Sequence, residues 1–401
     1  MASINEFFFM RNGFETFRLE PDKHSYLLFG SHDREQRDHL LEHLEEASYS
    51  LEGYKSVVIG DYGRGKTHQS RNIEFEISQR GLNLCPVYVR CTEFKVKEIF
   101  STFFKELVLS IPTEDIKEMA QTYEEKTISG DFPALETIID DEDVARVFRS
   151  GLAAPNLDVV RLSMRWLGGE QKLDMQLVAG NMPALTVSKQ FGSVMRGIVQ
   201  LYRKVKRKVP VYLIDEAERF SLVSNTDAYW SWLAALRELT DIIGVALIFF
   251  IGQKSRDEIP VMFAQDEIQT RIGVSNYVEF YDQSRDDVRD FLTELLQTII
   301  RKGPVSNDHK EILEKKFGKE IDNAIPEELQ TIVGDDGELL KTYPFTIDAF
   351  EKLIDHCATA EYSNRPREVL IMVQKAAGRA MRSGSRLIDS SVLDETSRDG
   401  I

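Results

Sequence analysis

The chain of 401 residues, 42% hydrophobic and 29% charged, is long enough for two or three globular domains with a large buried core. Its formal net charge of −16 argues against a free-standing nucleic-acid binder of high affinity, because contacts with phosphates need clustered lysines and arginines. With no run of about 18 apolar residues, no signal-peptide pattern and only three scattered cysteines, the sequence favours a cytoplasmic protein that has no membrane segment, disulfide framework or zinc site.

Residues 1–30 are predicted to form an irregular N-terminal arm that carries aromatic anchors and is broken by Pro21. The anchors are Phe7, Phe8, Phe9, Phe14 and Phe17. A helix is predicted over residues 31–49, with Ser31 as its N-cap and Leu40, Leu41 and Leu44 as its buried stripe.

A short apolar run, Val57-Val58-Ile59, ends at a glycine-rich loop that leads into a helical pattern over residues 68–79. The loop consists of Gly60, Asp61, Tyr62, Gly63, Arg64, Gly65, Lys66 and Thr67, which fits G-x-x-x-x-G-K-[ST]. Glycines let main-chain N–H groups surround phosphate oxygens, and the start of the helix adds partial positive charge. We therefore expect Lys66 to bind the β- and γ-phosphates of ATP and Thr67 to ligate Mg²⁺. The strand and helix on either side disfavour the alternative, a glycine turn that matches by chance.

Strand and helix alternate after the loop, which predicts a parallel sheet flanked by helices. A second strand is predicted over residues 84–91 and a helix over 93–110. Residues 111–190 have a polar, mostly helical pattern that indicates a helical insertion. Within it, the run Trp166-Leu167-Gly168-Gly169-Glu170 is typical of a helix end, and plain packing of Trp166 is the favoured interpretation.

An acidic pair forms the second chemical motif. A long helix over residues 191–208 ends in the basic run 202–208, and the apolar strand 209–214 that follows ends at Asp215-Glu216. Carboxylates at the end of a buried strand need a cation or a proton to offset their desolvation. We expect Asp215 to hold Mg²⁺ and Glu216 to act as the general base toward the attacking water. A solvated strand end whose acids cap the next helix is the alternative.

A third buried strand is predicted over residues 244–251, after a helix over 225–240. Gln253 follows this strand and is the candidate for orienting water beside the γ-phosphate, with Lys254 as the second candidate. A plain turn or helix start explains both residues equally well.

The sequence becomes helical in pattern from Ser284, which forms a capping-box pattern with Asp287. Residues 304–340 are acidic and are predicted to be irregular and weakly helical. Thr346 is expected to cap one later helix and Pro366 to open the last one at its first position. The predicted domains are the arm 1–30, an α/β nucleotide-binding domain 31–283 with its insertion at about 111–190, a helical domain 284–382 and a tail 383–401.

In the order of these parts, the chain resembles AAA+ ATPases of the initiator (origin-recognition-like) clade, roughly over residues 25–395. The resemblance implies an α/β P-loop NTPase sheet flanked by helices, a helical C-terminal lid, ATP and Mg²⁺ as ligands, and ATP hydrolysis. It also implies a role for individual segments. Residues 28–35 match the start of the fold, whose backbone surrounds adenine. Gly60–Thr67 match Walker A and Leu213–Glu216 match Walker B. Gln253 matches sensor 1, Arg271 matches an arginine finger that acts across a subunit boundary, and Asn364-x-x-Arg367 matches the sensor 2 helix. For Arg271, a surface ion pair is the alternative.

Residues 60–68, 166–170 and 214–218 further resemble the ATP-binding proteins of BREX-type and related phage-defence operons. This resemblance implies an ATP-driven switch in a bacterial DNA-directed process, as a homo-oligomer or with an effector partner such as a helicase or a nuclease. Two alternatives stay open. One is a DNA-loading or transposition-type regulator that binds DNA through the basic run 202–208, which a solvated helix end explains as well. The other is an ATP-dependent assembly scaffold with little turnover.

Overall fold

The computed structural model describes residues 3–50, 52–91, 99–170, 182–186, 188–222, 226–280, 283–303, 305, 307–317, 323–358 and 365–398. The chain divides into two compact units. The first comprises Met1–Asp38, Tyr62–Asn72 and Tyr281–Ile401, and the second comprises His39–Asp61 and Ile73–Phe280. The phosphate-loop motif thus begins in the second unit, and from Tyr62 onward it belongs to the first.

A five-stranded parallel sheet organises the second unit. Its strands are β1 (Lys55–Gly60), β2 (Leu84–Arg90), β3 (Val209–Asp215), β4 (Ala246–Gly252) and β5 (Tyr277–Glu279), in the spatial order β2-β3-β4-β1-β5. All four neighbouring pairs are parallel, so the carboxyl ends of the strands lie along one edge. Gly60 pairs with Gly252 at that edge, where β3 ends in Asp215.

Both faces of the sheet are covered, as the continuous apolar runs of β3 and β4 predict. Alternate residues of each strand enter different hydrophobic clusters. Ile59, Ile214 and Phe249 belong to the larger cluster, which the insertion helices share. Val58, Leu213 and Phe250 belong to the smaller one, together with residues of the helices next to β1. Because side chains of a strand point alternately to opposite faces, these two clusters are the two sides of one buried sheet.

The α-helices of the described chain are α1 (Ile4–Phe7), α2 (Pro21–His24), α3 (Ser31–Ser50), α4 (Lys66–Arg80), α5 (Ile99–Leu109), α6 (Thr113–Ile128), α7 (Glu142–Arg146), α8 (Leu157–Leu167), α9 (Ser188–Leu201), α10 (Thr226–Asp241), α11 (Asp266–Ile272), α12 (Arg285–Ile299), α13 (Asn307–Phe317), α14 (Glu327–Val333), α15 (Gly337–Thr342), α16 (Ile347–Cys357), α17 (Pro366–Ser383) and α18 (Ser390–Arg398). The fold class predicted from the sequence, an α/β sheet with a helical insertion and an all-helical C-terminal region, is confirmed. None of the described helices combines the length and the apolar character that a membrane-spanning segment requires.

The insertion between β2 and β3 is helical, as predicted. Helix α8 ends at Leu167, and the glycines that follow it close the helix. Trp166 is fully buried, and its Nε1–H donates to the carbonyl oxygen of Pro183 at 3.1 Å. Trp166 is therefore a packing residue of the insertion, in agreement with the favoured interpretation.

Local capping signals are confirmed in the C-terminal helices. The main-chain N–H of Asp287 donates to Ser284 Oγ at 3.2 Å and that of Ser284 to Asp287 Oδ2 at 2.7 Å, which completes the capping box of α12. Thr346 caps α16, and Pro366 occupies the first turn of α17.

The structure corrects two local predictions. Pro21 does not break the arm but begins α2 at the first helical position. Within residues 304–340, predicted to be irregular and weakly helical, the described parts are more regular than expected, since α13 and α14 lie there and α15 begins there. These short polar helices are held by burial of single side chains such as Leu313, Leu329 and Val333, a tertiary effect that local periodicity does not reveal.

Candidate functional site

The glycine-rich loop leaves the carboxyl end of β1 and enters α4 at Lys66. Gly63 and Gly65 have φ angles of +85° and +84°, a left-handed conformation that favours glycine. The side chains of Arg64 and Lys66 are buried, at 5% and 8% exposure, whereas Tyr62 is exposed. Lys66 Nζ lies 5.7 Å from the centroid of the Tyr62 ring. The sequence therefore folds here into the strand–loop–helix arrangement that phosphate binding requires.

The first turn of α17 lies directly against this loop. The main-chain N–H of Arg367 donates to the carbonyl oxygen of Gly63 at 3.2 Å. A Cβ atom added to Gly63 would lie 3.3 Å from Arg367 Cβ and 3.6 Å from Arg365 Cβ. The structure thus brings the predicted sensor 2 residue Arg367, whose side chain is exposed, to the predicted phosphate loop. Asn364, which opens the sensor 2 pattern, lies outside the described residues.

Asp215 ends β3 as a buried carboxylate, at 2% exposure. The hydroxyl of Tyr88 donates to its Oδ2 at 2.9 Å, and the main-chain N–H of Glu216 donates to its Oδ1 at 2.9 Å. Both oxygens are therefore oriented by donors from its own unit. A carboxylate oriented in this way is a ligand that suits Mg²⁺, since this ion takes one or two carboxylates and completes its shell with phosphates and water.

Glu216 has a φ angle of +59°, which is rare for a residue with a side chain. Its carboxylate accepts hydrogen bonds from Arg90 at 2.5 and 2.9 Å and from Arg219 at 2.8 Å. Burial raises the pKa of Glu216, but the hydrogen bonds from Arg90 and Arg219 outweigh burial, and the pKa is lowered from its ordinary value. The predicted general base is therefore an ionised carboxylate that two arginines hold.

Gln253 follows β4, and its main-chain N–H donates to the carbonyl oxygen of Gly60 at 3.1 Å. This contact brings the residue to the point where the loop begins. Lys254, the second candidate, is exposed. One residue earlier, the N–H of Gly252 donates to Glu218 Oε2 at 2.7 Å, which ties the end of β4 to the acidic segment after β3.

Arg271 lies in the last turn of α11, and its side chain is 32% exposed. Its Nε donates to Asp241 Oδ1 at 2.7 Å and its guanidinium also donates to the carbonyl oxygen of Glu267 at 2.9 Å. Its contacts within the second unit are thus with these two residues rather than with the acidic end of β3.

Sequence reasoning missed the partners of the acidic pair, namely Tyr88, Arg90 and Arg219. A partial signal existed for Arg90, a cation near the end of the predicted strand 84–91, but its pairing in register with Asp215 follows from the strand order of the structure. A cation at the end of a strand that neighbours an acidic strand end is expected to meet it. The 3₁₀ turn Ala217–Leu222, which brings Arg219 back to Glu216, had no such signal.

Among the described residues, no cluster of three or more histidine, cysteine, aspartate or glutamate side chains is arranged to hold a metal ion.

Comparison with solved structures finds remote neighbours, among them four at 9% to 11% sequence identity with TM-scores of 0.44 to 0.46. Cdc6p from Pyrobaculum aerophilum is 11% identical, with a TM-score of 0.46 over 93% of this chain and 68% of that chain. The ORC1 protein of Aeropyrum pernix in complex with DNA is 11% identical, with a TM-score of 0.46 over 93% of this chain and 66% of that one. The ORC2 protein of Aeropyrum pernix, in ADPNP–ADP complexes, is 11% identical, with a TM-score of 0.44 over 92% and 68%. This chain spans about two thirds of their length. No protein-family model and no curated protein matches it.

Proposed function

We propose that the chain is an ATPase of the AAA+ initiator type, which binds ATP with Mg²⁺ at the loop Gly60–Thr67 and hydrolyses it. The observation that carries this proposal is the placement of that loop. It follows a central strand of a parallel sheet, opens α4, and has the first turn of α17 bonded to its Gly63. Glycines at positive φ and a buried lysine at the helix start support phosphate binding rather than a plain turn.

Each residue has a proposed role. The loop amides and Lys66 bind the β- and γ-phosphates, and Arg367 adds positive charge from the C-terminal helices. Asp215 and Thr67 hold Mg²⁺, which neutralises charge on the phosphate oxygens when it is bound. Glu216 takes a proton from the attacking water, Gln253 orients that water, and Arg271 stabilises charge on the transferred phosphoryl group from a neighbouring subunit.

Two variants test this proposal. Lys66→Ala removes the cation of the loop and is expected to abolish ATP binding. Glu216→Gln keeps the shape but not the base, so it should still bind ATP while turnover falls by about 100-fold or more. The measurement is phosphate release at saturating ATP, beside an equilibrium binding titration. Unchanged hydrolysis in Glu216→Gln would contradict the role of Glu216 as the base, and unchanged ATP binding in Lys66→Ala would contradict the loop as the nucleotide site.

An ATP-dependent assembly scaffold with little turnover is the second candidate, because two arginines hold the carboxylate of Glu216. A carboxylate whose oxygens both accept hydrogen bonds from arginines is not free to take a proton from an attacking water. Phosphate release near background in the wild type, together with a particle mass that rises with ATP, would favour the scaffold over the ATPase.

The finer biological role is also a proposal. The motif resemblance supports action in bacterial phage defence in the cytoplasm, as a homo-oligomer or with a helicase or nuclease effector. A DNA-loading role depends on the basic run 202–208. There Lys206 is bonded to Glu118 at 3.1 Å, while Lys204 and Arg207 are exposed. Salt-dependent DNA binding that is lost when Lys204 and Arg207 are neutralised would support that role, and absence of binding at low salt with ATP would end it.

A further inference from the structure

Residues 25–33, which we call the strap, comprise the last residues of the N-terminal arm and the first turn of α3, inside the first unit. Their side chains are largely buried, Leu27 and Phe29 almost completely. The strap is not paired as a strand with any described element, so its buried main-chain groups need other partners. Side chains from two separate helical regions supply them.

One set of partners comes from the first turns of α4, immediately after the loop. His68 Nε2 lies 2.6 Å from the carbonyl oxygen of Leu27, Gln69 Nε2 donates to that of Asp33 at 3.1 Å, and Asn72 Nδ2 donates to that of Ser25 at 2.7 Å. A carbonyl oxygen can only accept, so Nε2 of His68 carries the proton.

These three side chains are themselves held in place. Gln69 and Asn72 are buried, and Arg37 donates to Asn72 Oδ1 at 3.2 Å, which fixes the orientation of that amide. Burial lowers the pKa of His68, and the hydrogen bond to Leu27 opposes that shift without cancelling it, so the ring is neutral at pH 7. The connection between α4 and the strap is therefore made of neutral, directional hydrogen bonds.

The second set of partners comes from the C-terminal helices. The N–H of Gly30 donates to Glu294 Oε2 in α12 at 2.8 Å, and Arg34 donates to both oxygens of the same carboxylate at 2.6 and 2.8 Å. Burial raises the pKa of Glu294, but the hydrogen bonds from Arg34 and Gly30 lower it below its ordinary value. Gln283, just before α12, donates to Asp33 Oδ1 at 3.2 Å.

We infer that phosphate binding at the loop is coupled to α12 through α4 and the strap. His68 is the positioning residue that makes the contact between α4 and the strap nearest the loop. The inference rests on the proposed function, since it requires the loop to bind phosphates. Lys66 and Thr67 lie one and two residues before His68, so a ligand that orders the start of α4 acts on the hydrogen bond to Leu27. A change in that hydrogen bond shifts the strap, and the hydrogen bonds of Gly30 and Arg34 to Glu294 pass this shift to α12. This is a second route to the C-terminal helices, separate from the contact between Gly63 and Arg367.

The test is amide hydrogen exchange of the full chain with magnesium tripolyphosphate, which has no base or ribose to contact the strap. In the wild type the probe should slow exchange in α12 by about fivefold or more, the lower end of ordinary coupling between sites. His68→Leu keeps the volume but has no donor, so it should still bind the probe while the response of α12 is lost. His68→Gln restores a donor and should restore the response. His39→Leu, at an exposed histidine of α3, is the control and should behave as the wild type.

A full response of α12 in His68→Leu with the probe bound would overturn the inference, as would a wild type that binds the probe without any response. If His68→Leu does not fold, Gln69→Met removes the neighbouring donor and must weaken the response of α12. A titration separates the two levels of the proposal. A wild type that binds neither tripolyphosphate nor ATP contradicts the proposed function itself, whereas intact binding without coupling contradicts only the role of the strap.

Discussion

The carboxylate of Glu216 lies between two arginines, and its protonation follows from that position. Arg90 is mostly exposed, at 60%, and reaches the carboxylate from the end of β2, while Arg219 returns to it from the 3₁₀ turn after β3. The lowered pKa means that Glu216 is ionised at and above its ordinary titration range, and that it becomes protonated only at lower pH. The deprotonated form that a general base needs is therefore present at neutral pH, but its oxygens already accept hydrogen bonds from Arg90 and Arg219.

Arg90→Ala tests whether this pairing restrains catalysis. Removing Arg90 should raise the pKa of Glu216 toward its ordinary value, and the acid limb of the pH–rate profile should move to higher pH. At neutral pH turnover should rise, by up to about fivefold if the exposed pair is worth about 1 kcal/mol. The measurement is kcat for phosphate release as a function of pH. Arg161→Ala is the control, since Arg161 is exposed to a similar degree, 57%, in an ion pair within the insertion. An acid limb that stays in place would contradict the pairing as its cause.

Arg367 offers a second test at the scale of one residue. Its main-chain N–H bonds to Gly63 whatever its side chain, so Arg367→Ala should fold normally while it loses one charge near the phosphates. We expect ATP affinity to fall by about tenfold or more, the equivalent of one charged hydrogen bond. Arg382→Ala, at an exposed arginine in the last turn of the same helix, is the matched control. Equal losses in titrations of both variants would mean that general charge, not position, is responsible.

At the scale of elements, the loop conformation itself can be tested with Gly63→Ala. Gly63 has φ +85° and faces Arg367, whereas Gly130 has φ +81° and open space around it. Either substitution should destabilise the fold by about 1–2 kcal/mol, because both force a side chain into the left-handed region. Only Gly63→Ala should also lower nucleotide affinity, because its Cβ presses on α17. Thermal unfolding and ATP titration measure the two effects separately, and an affinity loss in Gly130→Ala would show that stability alone controls binding.

The elements that sequence predicts well are those whose residues carry the signal themselves. Strands β3 and β4 are continuous apolar runs, the loop is glycine-rich, and the caps at Ser284 and Thr346 need only neighbouring residues. The fold class follows from the alternation of strands and helices after the loop. The bounds of α13, α14 and α15 were not predictable in this way, because burial of isolated leucines and valines decides where these helices form.

In the candidate site, too, residues in local sequence patterns were predictable, and contacts between distant segments were not. The residues of the loop and the acidic pair belong to local patterns, so their positions could be predicted. The pairing of Arg90 with Glu216 depends on which strands are neighbours, and a single sequence does not state that order. The hydrogen bonds of the strap depend on where an irregular segment crosses α4, for which the sequence has no periodic signal.

At the scale of the whole molecule, the proposed arginine finger requires a second copy of the chain. Arg271 is partly exposed and paired with the mostly exposed Asp241 of the same unit, a surface interaction that contributes at most about 1 kcal/mol and so can be exchanged for another partner. We expect particle mass to rise with ATP, and Arg271→Ala to lower turnover by about 1,000-fold while it retains ATP binding.

Mixing two inactive variants decides whether Arg271 acts between subunits. Lys66→Ala keeps Arg271 but binds no nucleotide, and Arg271→Ala binds nucleotide but has no finger. If the finger acts across a boundary, the mixture should regain part of the wild-type turnover, because one variant supplies what the other lacks. Wild-type turnover in Arg271→Ala alone, or a mixture no more active than its components, would contradict this role.

Nucleotide binding at the loop Gly60–Thr67 is tested by a calorimetric titration of Mg²⁺–ATP into the wild-type chain and into Lys66→Ala. Lys66 is buried at the start of α4, and without its charge we expect no measurable ATP binding, whereas the wild type should bind ATP at one site per chain. A wild type that binds no ATP, or a Lys66→Ala chain that binds it with unchanged affinity, would contradict the assignment of Gly60–Thr67 as the nucleotide site.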